Sequence, residues 1–253
     1  GTSGFIVSST LIGPLLIGKY DYLFPVVYSI SALISAFFAL RLPAYKNLEE
    51  QATEASQHSS PFFNRRFVLF LAGVGMVGFS MGILFQYFAI YLNEIQASSL
   101  IIGLSASVAA LSEIPLMACS SNLISKFGLE KIFLVGIIAT GLRFLLLYLF
   151  DDPILMLSAQ LLHGFLIVSM LIIAPMYITK ILPGPQQTLG QGLYSAAYGG
   201  IGTSIGLFVG GLVYSSSGIK PLWLMGLGVI MMGLFLLNIA LKRKQSQSYQ
   251  AAD

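Results

Sequence analysis

Eight apolar stretches, at residues 1–18, 22–41, 66–92, 100–122, 131–150, 154–179, 188–214 and 220–241, are each long enough to cross a bilayer. Inside hydrocarbon every backbone N–H and C=O must find its partner within the protein, which leaves helices or closed barrels. Period-2 alternation is absent, so the chain is read as an all-α membrane protein of eight transmembrane helices. Its composition agrees: 56% of residues are hydrophobic and 9% charged, whereas a soluble domain carries roughly 25% charged residues. A soluble enzyme and a nucleic-acid binder are thereby excluded. The single cysteine, Cys119, allows no intramolecular disulfide, and two histidines leave no Cys/His metal cluster. No metal or other cofactor is expected, and no G-x-x-x-x-G-K-[ST] run exists to hold ATP in a P-loop.

The connections are short except for a polar stretch with Glu49, Glu50 and Glu54, read as a linker over 43–65. In alternate connections, Arg41, Lys46, Arg65, Arg66, Lys126, Lys131, Lys180, Lys242, Arg243 and Lys244 fall on one side, against Lys19 and Lys220 on the other. The positive-inside rule makes the first side cytoplasmic, together with the linker and the tail 243–253. Asp21, Glu94, Asp151 and Asp152 then face outward, and Trp223, Tyr20 and Tyr22 are expected in an interfacial aromatic belt. The expected location is a plasma membrane or a bacterial inner membrane, with the lipid bilayer as one partner.

Residues 1–18 begin within an apolar helix, with neither a Met nor a charged n-region. This predicts the C-terminal part of a longer membrane protein; the alternative is a start just upstream and eight or nine spans. A repeat points the same way. Gly1-Thr2-Ser3 opens a glycine-bearing helix followed by a turn and a helix ending at Arg41; Gly202-Thr203-Ser204 lies in a hairpin of the same kind ending at Lys242. Shared composition is the competing explanation. With the repeat, 1–42 supplies the last two helices of an N-terminal six-helix bundle, and 66–242 is a complete C-terminal six-helix bundle. The missing N-terminal helices would be partners from the same protein.

Two six-helix bundles around a cytoplasmic loop is the organisation of the major facilitator superfamily, which the whole chain resembles. It is similar to the sugar:proton symporters and phenylpropionate-permease-like transporters through Ser112-Glu113-Ile114-Pro115, Gly141-Leu142-Arg143, Gln160-Leu161-Leu162-His163-Gly164 and Gly190-Gln191-Gly192-Leu193-Tyr194. Arg143 and His163 stand 20 positions apart, the separation of the functional arginine and histidine in the sugar:proton symporters. The resemblance implies proton-coupled symport of a small organic solute by alternating access. Departures are also visible: the symporters' proton-binding glutamate and lysine are replaced by Leu166 and Gln160. Counted from Gly128, Glu113 lies about one turn from a sugar-binding glutamate of the family. The superfamily's cytoplasmic loop, G-x-x-x-D-R-x-G-R-R, keeps Lys126 and Gly128 but has Ser125 at its acidic position.

Three ionisable residues lie inside apolar spans, where an ion costs at least about 2.5–3.5 kcal/mol on the mildest scale. At about 1.5 Å per residue, Arg143 lies roughly 10 Å, His163 roughly 14 Å and Glu113 roughly 20 Å below the outer face. Glu113, Arg143 and His163 are therefore the proton-coupling candidates: Glu113 exchanges the proton, Arg143 pairs alternately with it or with solute, and His163 orients them or shares the proton. Each has a structural alternative. Arg143 would snorkel to headgroups, Glu113 would pack as a neutral acid, and His163 would bridge helices. Gln86, Tyr87, Gln160, Tyr194 and Tyr198 are the solute-binding candidates, with Tyr177 at similar depth; Tyr194 and Tyr198, four apart, share a helix face. Gly192, Gly199, Gly202, Gly206, Gly210 and Gly211 suit either rocking of one bundle on another or static packing. An intramembrane enzyme using Glu113 and His163, and a non-transporting scaffold or sensor, are the rival functions; no H-E-x-x-H or serine-nucleophile motif supports the enzyme. The in-frame sequence upstream of Gly1 is expected to encode four further apolar spans. A start codon directly before Gly1 would overturn the two-bundle reading.

Overall fold

The computed structural model describes residues 64–242, together with Val26, Ser29, Ile30, Leu33, Ile34 and Phe37. The chain divides into two compact units, Gly1–Ser60 and Pro61–Asp253. In the first, the described positions are helical and exposed, within the span expected at 22–41. The span expected at 1–18, the linker as far as residue 63, the first hairpin of the repeat, Tyr20, Tyr22 and the tail 243–253 lie outside the described residues.

In the second unit every regular element among the described residues is helical, and six helices are long and apolar enough to cross a membrane. We label them α1 (Arg65–Glu94), α2 (Ser99–Ala118), α4 (Leu129–Leu149), α5 (Pro153–Ile181), α6 (Gln186–Ser217) and α7 (Ile219–Lys242), with the short amphipathic α3 (Ser120–Phe127) between α2 and α4. The caps are local and explicit: the side chains of Asn64, Ser98 and Asp152 accept from the first-turn N–H groups of Arg66, Ile101 and Leu155. Gly128, at φ +88°, turns α3 into α4 in a conformation few residues other than glycine adopt. The span expected at 100–122 ends at Ala118 instead. The backbone turns at Cys119, and α3 continues the apolar run with Ile124 packed on the core.

Helix α1 packs against α6 and α7, α4 against α7, and α5 lies against both α2 and α4. The α1–α6 contact is backbone on backbone. A Cβ at Gly78, Gly82, Gly202 or Gly206 would run into the carbonyl oxygens of Tyr198, Thr203, Gly75 and Phe79 respectively. Three of the α6 glycines, Gly202, Gly206 and Gly210, thus serve packing inside this unit, whereas Gly192 and Gly199 face open space.

Two polar ties close the ends of the bundle. At the basic end Arg66 Nε donates to the Tyr177 hydroxyl (2.9 Å) and the Ala240 carbonyl (2.7 Å), a cation on the C-terminal turn of α7. Tyr177 therefore sits in this clamp rather than among solute-facing groups, because its hydroxyl also donates to Ala240. At the other end Lys220 reaches Asp151 at 2.6 Å, and the Tyr91 hydroxyl shares its proton between Asp151 (2.8 Å) and the Phe150 carbonyl (2.5 Å). Trp223 corrects the aromatic-belt expectation: it is fully buried between Tyr91 and Phe144, since its place on α7 turns it to the core and not to headgroups.

The loop held by Asp151 joins the helices that carry Arg143 and His163, so the tie anchors that turn to α1 and α7. The Lys220 ammonium, with the Tyr91 hydroxyl, holds the exposed Asp151 carboxyl below the usual carboxylate range. A carboxyl depressed on folding stabilises above its unfolded pKa, about 3.9 for Asp, and that contribution disappears as pH falls through the lower folded value. Asp151→Asn is expected to melt slightly lower than the parent at neutral pH and to lose part of the parent's acid sensitivity below about pH 4. Detergent-solubilised thermal melts check this; parallel pH profiles would contradict it.

Candidate functional site

Arg143 is 5% exposed on α4, and two neighbours on α5 answer its donors. Nη2 donates to Gln160 Oε1 at 2.5 Å, and Nη1 lies 3.1 Å from His163 Nδ1. On the far side of the imidazole, His163 Nε2 stands 3.5 Å from Glu113 Oε1 of α2. The order is therefore Gln160, Arg143, His163, Glu113, with the histidine between the guanidinium and the carboxyl group.

Local backbone structure sets this order. Gln160–Leu162 is a 3₁₀ turn, and side chains three residues apart eclipse in a 3₁₀ helix. Gln160 and His163 consequently meet the two prongs of one guanidinium. The turn also gives the Gln160 carbonyl to the His163 N–H, while the Gly164 N–H donates to Ser112 Oγ on α2 at 3.0 Å. Gly164 is required there because a Cβ would stand 2.5 Å from the Ser112 carbonyl oxygen. This approach of α5 to α2 is what brings His163 within reach of Glu113, the residue after Ser112.

The chemistry of the donors fixes the proton on the imidazole. Arginine has only donors, so the facing Nδ1 must accept. Neutral His163 then carries its proton on Nε2, toward the Glu113 carboxylate. Phe85 of α1 meets the His163 ring edge-on at 6.0 Å and is itself 67% exposed. Burial and bonding of the guanidinium exclude the snorkelling alternative for Arg143.

The structure brings together Glu113, Arg143, His163 and, from the solute-binding candidates, Gln160. It does not gather the rest. Gln86 is exposed on α1 beside Phe85. The Tyr87 hydroxyl donates to the Leu207 carbonyl (3.3 Å), and its ring lies against Gly210 at the α1–α6 contact. Tyr194 donates to the Met170 carbonyl at 2.6 Å, and Tyr198 stacks on it with ring centroids 5.9 Å apart. Sequence reasoning did not single out Ser112, Gly164 or Phe85 for a role; the first two adjoin Glu113 and His163 in the quoted motifs, whereas nothing in the sequence marks Phe85. Among the described residues no group of three His, Cys, Asp or Glu side chains is placed to hold a metal.

Comparison with known proteins extends these observations. The model of the MFS_1 like family matches residues 1–225. The maltose permease of Geobacillus stearothermophilus is 25% identical over 220 residues, 87% of this chain and 56% of the permease. The uncharacterized transporter YwbF of Bacillus subtilis (strain 168) is 24% identical over 163 residues, 64% of this chain and 41% of YwbF. The chain thus spans about half the length of these curated relatives. Crystal structures of the nucleoside transporter NupG share the fold. A mutant form superposes with a TM-score of 0.77 and the NupG structure without that mutation with 0.71, each at 21% identity over 96% of this chain and 66% of NupG.

Gly164→Ala is expected to push α2 from α5, destabilise the bundle by about 1–3 kcal/mol, as overpacking does, and lengthen the His163–Glu113 contact. Gly103 on α2 has open space where its Cβ would be, so Gly103→Ala should be tolerated. Equal denaturation midpoints for the two variants would contradict the close-approach argument.

Proposed function

The chain belongs to the MFS_1 like family of the major facilitator superfamily, and from that premise we propose that it forms part of a secondary active transporter that moves a small organic solute together with protons. In this reading the spans 1–18 and 22–41 are the last two helices of a first bundle, and α1 to α7 form the second. Transport proceeds by alternating access around a midplane cavity. The observation that carries the proposal is the chain Arg143–His163–Glu113: a buried guanidinium and a partly buried carboxyl group linked through a buried imidazole inside an apolar bundle. Ionisable groups inside a membrane are expensive and mark ion or proton pathways.

Glu113 is the proton-exchanging group in this scheme. Its side chain keeps 14% exposure, twice that of His163, and a partly buried carboxyl whose charge partners change between two states changes its proton affinity with them. Arg143 supplies the partner charge and His163 the link. Gln86 is the one exposed member of the five solute-binding candidates and is assigned to the solute, with the neighbouring Phe85 offering an apolar face. Tyr87, Gln160, Tyr194 and Tyr198 hold helices and side chains in place around it. Maltose and nucleosides, named for the relatives, are the first solutes to screen.

The full-length protein reconstituted in liposomes with an acid-outside pH gradient is expected to accumulate its solute uphill. Glu113→Gln is expected to lose the gradient-driven accumulation while retaining solute exchange at equilibrium. Uphill uptake by Glu113→Gln at the parent rate would refute the assignment of the proton to Glu113.

A further inference from the structure

Gln160 is the member of the network that cannot ionise, yet its contact with Arg143 is the shortest in it, 2.5 Å against 3.1 Å and 3.5 Å for the two that follow. The amide must present its oxygen there, because arginine has only donors to offer. A guanidinium is planar and its prongs are fixed relative to each other, so an acceptor on Nη2 also sets the direction of Nη1. Gln160 and His163 are on one helix, three residues apart across a 3₁₀ turn, and are 5% and 6% exposed. They form a two-pronged receptor for one side chain.

Resting on the proton-coupling reading above, we propose that Gln160 is the positioning residue of the network: it holds Arg143 on His163 Nδ1, keeps the imidazole as its Nε2–H tautomer facing Glu113, and thereby leaves Glu113 as the group that takes up the proton. The charged and titratable groups facing His163 are Arg143 from α4 and Glu113 from α2, while α1 contributes the Phe85 ring. A proton entering the imidazole must go to Nδ1, where the Arg143 N–H already points. Two donors would then face each other, so His163 becomes cationic only after Arg143 has left. A proton entering the Glu113 carboxylate takes that group from −1 to neutral, breaks no heavy-atom bond and leaves Arg143 in place. With no acceptor at position 160, Nη2 is unanswered, Arg143 is no longer directed at Nδ1, and the imidazole is released to both tautomers and to protonation.

These 253 residues hold two histidines, His58 and His163; replacing His58, and any histidine of the full-length protein outside them, with Gln leaves His163 as the sole imidazole. The test is solid-state NMR of the full-length protein, labelled with ¹⁵N-histidine and held in phosphatidylcholine–phosphatidylglycerol nanodiscs, across about pH 5 to 8, the range in which a free histidine titrates. The His58→Gln parent is expected to show one neutral tautomer throughout, with Nδ1 unprotonated and Nε2 protonated. Adding Gln160→Leu is expected to give a mixture of tautomers and an imidazolium signal growing toward the acid end. Gln160→Glu, which keeps an acceptor, is expected to restore the single tautomer. An Nδ1–H tautomer in the parent overturns the proposal even if Gln160→Leu does not fold. So does a Gln160→Leu spectrum and titration identical to the parent's. These readouts need no solute, which separates the two readings. The expected spectra in a protein whose uptake ignores the pH gradient would refute proton coupling and leave the positioning role standing; proton-coupled uptake with an Nδ1–H imidazole would do the reverse.

Discussion

A buried guanidinium must have its donors answered by the protein, and in this bundle that demand falls on Arg143. Its removal from water is tolerable only with close hydrogen-bond acceptors and a counter-charge nearby. The bundle supplies Gln160 and His163 as acceptors and the Glu113 carboxyl beyond them. Meeting this requirement ties α4 to α5 and α5 to α2. The polar network is therefore also a statement about helix positions: depth and rotation of three helices are fixed to the tolerance of a hydrogen bond.

The helices meet that tolerance by departing from ideal α geometry where it matters. Helix α5 contains the 3₁₀ turn at Gln160–Leu162 and, further on, a π turn at Val168–Ile173. Within the latter, the Ser169 hydroxyl reaches the carbonyls of Phe133 and Phe165 at 3.1 Å and 3.0 Å, linking α4 to α5 where Gly136 lets the backbones close. Tightened and widened turns shift the phase of the side chains that follow, and such irregular turns concentrate at functional sites. Helix α6 has its own π turn at Ala196–Gly202, next to the glycine contact with α1.

Which parts of this were legible in the sequence follows from what each depends on. Span ends such as 66–92 and 154–179 lie within a few residues of the helices Arg65–Glu94 and Pro153–Ile181, because bilayer thickness demands long apolar runs whatever the packing. The common depth of Arg143 and His163 was legible as well, since a turn with Asp151 and Asp152 separates two antiparallel helices and depth follows from counting. Rotation about each helix axis was not. Tyr87 and Tyr194 have the composition expected of a solute-facing aromatic, but their hydroxyls bond to helix carbonyls inside the unit. Trp223 sits near a helix end, as an interfacial residue would, yet faces inward against Tyr91. A 3₁₀ or π turn has no signature in hydrophobic periodicity, so the alignment of Gln160 with His163 emerges only in the folded bundle.

The placement of a neutral histidine between Arg143 and Glu113 has an energetic consequence for the proposed transport cycle. With Glu113 ionised, the buried network is neutral overall, and the guanidinium has both hydrogen bonds and a counter-charge. Protonation of Glu113 removes the counter-charge but leaves the amide and imidazole acceptors, so Arg143 stays bonded while its charge is compensated by dipoles alone. In a low-dielectric interior that difference is substantial, because charge–charge attraction is weakly screened there. The protonated state therefore gains more than the ionised one from any rearrangement that brings water or a hydroxyl-bearing solute to the guanidinium. Coupling of proton to solute needs no direct contact between Arg143 and Glu113; it needs only that Arg143 be held by neutral partners, which is the role its two α5 neighbours fill.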